Sequence, residues 1–348
     1  MNRIFIQIIA MVGTIVPTIV SCSESSQVQA PDYATTWQPD TLGDGYEMRY
    51  VRQNDDYSGA VRSTIIRKQS PCGSDRGILY VHGFNDYFFQ KEMGDRFVDS
   101  CYSFYAVDLR KYGRSIIPGQ KLFQVRDMKE YFPDIDSALV QMRHDGITEI
   151  ILMGHSTGGL TTSLFMNYEP DPGIKGLILN SPFLDWNLSP FLEKAAVPAV
   201  DITGALFPNI KISQDKSRLY SESLLKKYGG EWDYNTSWKL EESPDVDAGW
   251  IRAIEEAQEK LHKDSHITVP ILLLHSDSSY ADGDSLQKAK RSDAVLDVAD
   301  ISKYGKLLGD SVTEITIKGG LHDLALSRKA ARDSMFTVIF EWLKANRI

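Results

Sequence analysis

Residues 149–160, Glu-Ile-Ile-Leu-Met-Gly-His-Ser-Thr-Gly-Gly-Leu, restrict what this chain can fold into more than any other stretch. A short apolar run enters Gly-His-Ser-Thr-Gly and leaves as a helix-compatible segment. Apolar strand, tight turn with a serine at its tip, then helix is the reading that this pattern supports. Gly154 and Gly158 flank the turn, where a Cβ would crowd a strained backbone. Ser156 is then pushed out at the carboxyl edge of a sheet, within reach of a base. The helix that follows points its positive end at the same spot, and the N–H of Thr157 is available to hold an oxyanion.

The amino terminus makes a separate statement. Arg3 precedes an uncharged, mostly aliphatic run from Ile4 to Val20, which closes on Ile19-Val20-Ser21-Cys22. A basic tip, an apolar core and small residues at the exit describe an export signal over residues 1–21. The last four residues resemble a bacterial lipobox, which implies lipidation of Cys22 as the first mature residue. A plain transmembrane anchor is the alternative, but the run is short for one and holds Gln7, Gly13 and Pro17. Residues 22–45 then read as a tether. Ser23 rather than an aspartate after the cysteine implies, by the same resemblance, the outer rather than the inner membrane of a bacterial envelope.

Export places the two remaining cysteines, Cys72 and Cys101, in an oxidising space. Each lies just ahead of a predicted strand. If those strands are parallel neighbours, a disulfide can join their starting ends; two buried free thiols are the other outcome. None of the three cysteines has metal-type spacing, and no metal or organic cofactor is called for. The formal charge of −9, with no basic tract, argues against a nucleic-acid partner.

Strands are expected at Tyr46–Val51, Val61–Arg67, Gly77–Val81, Phe104–Val107, Lys175–Leu179, Pro270–His275 and Val312–Ile317, besides the one ending at Gly154. Met128–Asp145 has helical spacing, with Tyr131, Ile135, Leu139 and Met142 on one face, and a closing helix is expected from about Ser327 to Lys344. Strand and helix alternate except between Phe183 and Ile267, a segment rich in tryptophan and tyrosine. Within it, Trp250–His262 reads as an amphipathic helix through Ile251, Ile254, Ala257 and Leu261.

Five segments together resemble one family. They are Tyr80-Val81-His82-Gly83-Phe84-Asn85-Asp86-Tyr87-Phe88, Asp108–Ser115, Gly154–Leu160, Leu179-Asn180-Ser181-Pro182-Phe183-Leu184 and Gly319-Gly320-Leu321-His322-Asp323. The chain resembles the α/β-hydrolases of the serine aminopeptidase and monoglyceride-lipase (lysophospholipase-like) group from about Tyr46 to Leu343. The resemblance implies an α/β-hydrolase fold: a mostly parallel central sheet flanked by helices, with core segments at 46–184 and 268–348 and a cap inserted at 185–267.

It also implies a site. Ser156 becomes the nucleophile and His322 the base. The acid is expected at Asp277, at the end of the 270–275 strand, with Asp282, Asp284, Asp293 and Asp297 as competitors. Ser156, Asp277 and His322 occur in the chain order that this fold uses. The backbone N–H of Phe84, after the His82-Gly83 turn, becomes the second oxyanion donor beside Thr157. His82 itself is read as a residue that bonds backbone within its turn. A single glycine after that histidine is, by resemblance, the form that takes longer acyl esters.

Three functions remain open at this point. The first is a lipid-anchored serine hydrolase of carboxylic esters, with a lysophospholipid or monoacylglycerol as favoured substrate. The second is a serine aminopeptidase of the proline-iminopeptidase kind, with Glu231, Glu241 or Glu242 holding the substrate amino group. The third is a non-catalytic envelope binding protein, which has no use for a complete Ser, Asp and His set.

Overall fold

The computed structural model describes residues 36–186, 204–213, 216–281 and 283–348. The segment read as an export signal, Cys22 and most of the segment read as a tether therefore lie outside the described residues, as does Asp282. No helix among the described residues is long and apolar enough to cross a membrane.

The centre of the molecule is a nine-stranded sheet. Its strands are β1 (Gln38–Pro39), β2 (Glu47–Asp56), β3 (Gly59–Lys68), β4 (Arg76–Val81), β5 (Ser103–Asp108), β6 (Glu149–His155), β7 (Ile174–Asn180), β10 (Ile271–Ser276) and β11 (Val312–Ile317). A separate two-stranded pair, β8 (Lys211–Ile212) and β9 (Val246–Asp247), belongs to the inserted segment. The order across the sheet is β1-β2-β3-β5-β4-β6-β7-β10-β11. From β5 to β11 every pairing is parallel; β1, β2 and β3 add an antiparallel edge.

The parallel strands are continuous apolar runs because helices cover both faces. The helices are α1 (Lys91–Asp99), α2 (Phe132–His144), α3 (Thr157–Tyr168), α4 (Leu219–Leu224), α5 (Ala248–Lys263), α6 (Leu286–Ala289), α7 (Val298–Gly305) and α8 (Lys329–Asn346). One core layer joins Leu79, Val81, Leu152, Leu177 and Leu273 to α2, α3 and α5. The layer on the other face joins Ile78, Tyr80, Ile151, Met153 and Leu272 to α1 and α8. Alternate residues of a strand go to opposite layers, as the pleat requires.

The expected strands are all present, and the amphipathic stripe of Ile251, Ile254, Ala257 and Leu261 on α5 is buried. The helix expected over Met128–Asp145 opens as a 3-10 turn, Met128–Tyr131, before α2; Asp127 and Glu130 close it with a reciprocal capping box. Ordered structure also begins before Tyr46. Gln38–Pro39 pairs with β2, and Asp40 forms a buried ion pair with Arg114.

β4 and β5 are parallel neighbours, with Gly77 opposite Ser103. Cys72 and Cys101, just ahead of them, are joined in a disulfide with their Cα atoms 5.5 Å apart. Of the two outcomes open for these cysteines, the bridged one is found.

Candidate active site

The carboxyl ends of the parallel strands gather the residues of interest at one edge of the sheet, where open α/β sheets place their ligands. β6 ends at His155, and Ser156 takes φ 53°, ψ −120°, a conformation that costs an ordinary side chain energy and persists only when its surroundings enforce it. The enforcement is visible at the glycines. A Cβ on Gly154 would lie 2.4 Å from Thr162 Oγ1 and 2.5 Å from the Gly158 carbonyl oxygen. A Cβ on Gly158 would lie 2.3 Å from the Val81 carbonyl oxygen and 2.4 Å from that of His82. The turn is thus pressed between its own helix and the end of β4.

His322 arrives from the loop after β11. Its Nε2 lies 2.9 Å from Ser156 Oγ, and its Nδ1 lies 2.9 Å from Asp293 Oδ2. All three side chains are buried. With the carboxylate ionised, Nδ1–H donates to Asp293, which leaves Nε2 to accept the serine hydroxyl proton.

The acid is therefore not where the resemblance put it. Asp277 is exposed and accepts a hydrogen bond from the backbone N–H of Gly319 at 2.8 Å, a brace on the loop that carries His322. The chain leaves β10, makes an excursion through α6 and returns: Asp293 N donates to the Ser278 carbonyl at 2.9 Å, and Tyr280 N donates to the Asp293 carbonyl at 2.7 Å. Asp293 Oδ1 accepts from the N–H groups of Val295 and Leu296, both at 2.8 Å, which aims Oδ2 at the imidazole. Burial of Leu296 pulls this turn inward. The other competitors among the described residues, Asp284 and Asp297, have local duties. Asp284 accepts from Ala281 N, and Asp297 caps α7 through Ala299 N.

The turn after β4 runs directly against the serine, since a Cβ on Gly83 would fall 2.9 Å from Ser156 Cβ. Phe84 follows at once. Thr157 is the first residue of α3, where an N–H has no intrahelical acceptor. The two expected oxyanion donors thus flank Ser156. His82 does what its sequence context implied. Its Nδ1 bonds the Gly83 carbonyl at 2.8 Å, and its Nε2 accepts from Leu109 N at 3.1 Å. The 108–115 segment is a structural network as well. Asp108 accepts from Phe88 N and from Arg114, Arg114 also pairs with Asp40, and Arg110 pairs with Asp134.

Sequence reasoning missed the support behind His322. Asp323 is wholly buried and accepts from Asn180 Nδ2 at 2.7 Å, Gln90 Nε2 at 2.9 Å and Ala325 N at 3.0 Å. Burial alone would raise its carboxyl; His155 nearby and the Gln90 and Asn180 hydrogen bonds outweigh that and hold it below the usual range. His155 bonds the Asn180 carbonyl through Nδ1 at 3.0 Å, and its ring centre is 4.8 Å from that of His322. Burial pushes its imidazole below the ordinary value. The only signal in the sequence was an acid directly after the base, in a loop with no charge to meet it. Asp86, His155 and Asp323 bring possible ligand atoms within 4.8 Å of one another, but Lys239 Nζ already stands 3.0 Å from Asp86 Oδ1 as the cation there.

The inserted segment roofs this edge with aromatics. Tyr220 presents its ring 5.7 Å from that of His322, and Trp250 packs 4.6 Å from Phe84. Tyr220, Trp232, Tyr234 and Trp238 pack around Tyr87, Phe89, Leu224, Leu321 and Leu326. Phe207 is exposed. A small cavity of about 60 Å³ beside Phe84 is lined by Asn85, Tyr220, Tyr234, Lys239 and Glu241, among others. The acids considered for an amino group are engaged within the chain: Glu231 with Arg332, Glu241 with Lys227 and Arg218, and Glu242 with Arg218.

Comparison with known proteins agrees with the α/β-hydrolase fold. The family described as serine aminopeptidase, S33, matches residues 74–324. Phospholipase YtpA of Bacillus subtilis (strain 168) is 23% identical over 205 residues, 57% of this chain and 74% of that protein. Among solved structures, a monoglyceride lipase from Saccharomyces cerevisiae superposes with a TM-score of 0.60 at 17% identity, covering 93% of this chain and 99% of the other. A Paleococcus ferrophilus monoacylglycerol lipase gives 0.57 at 19% identity, covering 86% and 99%.

Proposed function

This chain belongs to the serine aminopeptidase, S33, family, and from that premise we propose that it is a serine hydrolase of carboxylic esters working through an acyl-enzyme on Ser156. The observation that carries the reading is the relay from Ser156 Oγ through His322 to Asp293. His322 Nε2 takes the hydroxyl proton as Oγ attacks the acyl carbonyl. The tetrahedral oxyanion is held by the N–H groups of Phe84 and Thr157. His322, its positive charge balanced by Asp293, gives the proton to the leaving alcohol. Water, deprotonated by the same imidazole, then releases the acid and restores Ser156.

A lysophospholipid or monoacylglycerol is the favoured substrate. The aromatic roof suits an acyl chain, and the phospholipase and monoglyceride-lipase relatives point the same way. The aminopeptidase reading is weaker because the acids that would hold a free amino group are already paired. The location of the enzyme is a further part of this proposal: Cys22 lipidated, the enzyme anchored to a bacterial envelope membrane, more readily the outer one. The Cys72–Cys101 disulfide supports an oxidising compartment.

The deciding experiment is hydrolysis of a p-nitrophenyl ester ladder from acetate to decanoate, beside an aminoacyl anilide, by the wild type and Ser156→Ala. A Ser156-dependent preference for the longer esters is expected. Anilide cleavage without ester preference would move the assignment to the peptidase, and ester hydrolysis undiminished in Ser156→Ala would remove the acyl-enzyme altogether.

A further inference from the structure

Four consecutive residues of the turn that carries Phe84 are each held by the inserted cap. Phe84 packs its ring against Trp250. Asn85 bridges the Leu240 backbone from both sides, donating from Nδ2 to the carbonyl at 2.9 Å and accepting from the N–H at Oδ1 at 2.7 Å. Asp86 pairs with Lys239, Oδ1 to Nζ at 3.0 Å, with both side chains buried. Tyr87 accepts at its hydroxyl from Asn235 N at 2.8 Å and meets Trp238 edge-on.

The turn needs such holding. Asn85 has φ 49°, a conformation that tends to relax unless its neighbours enforce it. Asp86 is a buried carboxylate whose Oδ2 has no hydrogen-bond partner, so its charge depends on Lys239. Lys239 is itself fixed. Its ammonium lies 5.3 Å from the ring centre of Tyr220, 5.8 Å from Tyr234 and 5.9 Å from Phe89, a box that leaves it little freedom.

We propose that the cap segment 235–240 is the positioning element of the oxyanion turn, with Lys239 and Asn85 as positioning residues that set the Phe84 N–H against Ser156. The cap then contributes to the chemical step as well as to substrate binding, and the oxyanion site is complete only while the cap is docked. The inference rests on the serine-hydrolase reading given above.

The test separates these two roles by substrate length. p-Nitrophenyl acetate has no chain for the cap to hold, whereas p-nitrophenyl octanoate has. Full-length Lys239→Met, Lys239→Met with Asp86→Asn, and Asn85→Gly are compared with the wild type on both. The double variant removes the ion pair without stranding a buried charge. Asn85→Gly deletes the bridge while keeping positive φ accessible. Losing an oxyanion donor costs about 10²–10³ in kcat, and displacing one should cost about 10- to 100-fold. That drop is expected for acetate and octanoate alike, with KM for acetate within about threefold of wild type. Wild-type kcat on acetate in the double variant and in Asn85→Gly, with only the octanoate KM raised, would overturn the proposal, whether or not Lys239→Met folds. Failure of the underlying reading shows elsewhere, as hydrolysis by the wild type that survives Ser156→Ala.

Discussion

Asp293 Oδ2 stands 2.9 Å from His322 Nδ1, while Asp277, at the end of β10, turns its carboxylate to the N–H of Gly319. Two aspartates thus serve the same loop, one through the imidazole and one through the backbone. Asp293→Asn should lower kcat by about 10³–10⁴-fold, because the amide stabilises the wrong tautomer and cannot balance an imidazolium. Asp277→Asn should stay within about fivefold of wild type, since an exposed brace is replaced by a group that still accepts. Steady-state kinetics on one ester separates them, and the reverse ranking would return the acid to Asp277.

The elbow formed by residues 154–158, with Ser156 at its tip, predicts a second outcome. A Cβ on Gly158 meets the carbonyl oxygens of Val81 and His82, which are backbone and cannot rotate away. Gly158→Ala should cost about 1–3 kcal/mol of stability. It should lower kcat further, because the displaced residues lead into Phe84. Urea denaturation together with kinetics on the folded fraction checks both parts.

The disulfide closes a loop with a sequence separation of 29. By chain entropy, replacing Cys72 and Cys101 with serine should lose about 3–4 kcal/mol, seen as a lower urea midpoint that reductant no longer changes. Ester hydrolysis at 25 °C should be nearly unaffected, as the bridge lies at the far ends of the strands from Ser156.

Asp136, half-buried on α2, is pushed up to about 6 by burial and by the nearby Glu169 and Asp171. Its ordinary value is 3.8, so the folded state holds an extra proton between about pH 4 and 6. That contribution is full below the unfolded value and is lost as pH rises through the folded one. Asp136→Asn should therefore raise stability at pH 7, by no more than about 1 kcal/mol after solvent screening, and have little effect at pH 3.5. Thermal unfolding of both proteins across this range tests the sign.

The elbow was legible in sequence because each step of it is forced: strand, glycine, serine, glycine, helix. His322 was legible for a similar reason, as a histidine in a glycine loop after the last strand. Asp293 was not. Several aspartates follow β10, and which one meets the imidazole depends on how an excursion folds back, as Asp293 N does onto the Ser278 carbonyl. The contact between Gln90 and Asp323 likewise spans more than two hundred residues. The pairing of Lys239 and Leu240 with Asp86 and Asn85 is also long-range, which no local pattern carries.

The bridge between Cys72 and Cys101 has a mechanical meaning beyond its effect on the unfolded chain. It clamps β4 and β5 where they start, and the Leu109 N–H to His82 bond clamps them where they finish. Two parallel strands fastened at both ends cannot shear past one another. In a pleated strand a slip of one residue would send every side chain to the opposite face. The doubly fastened pair is thus a fixed rail, its register held at one end by a covalent bond and at the other by a hydrogen bond.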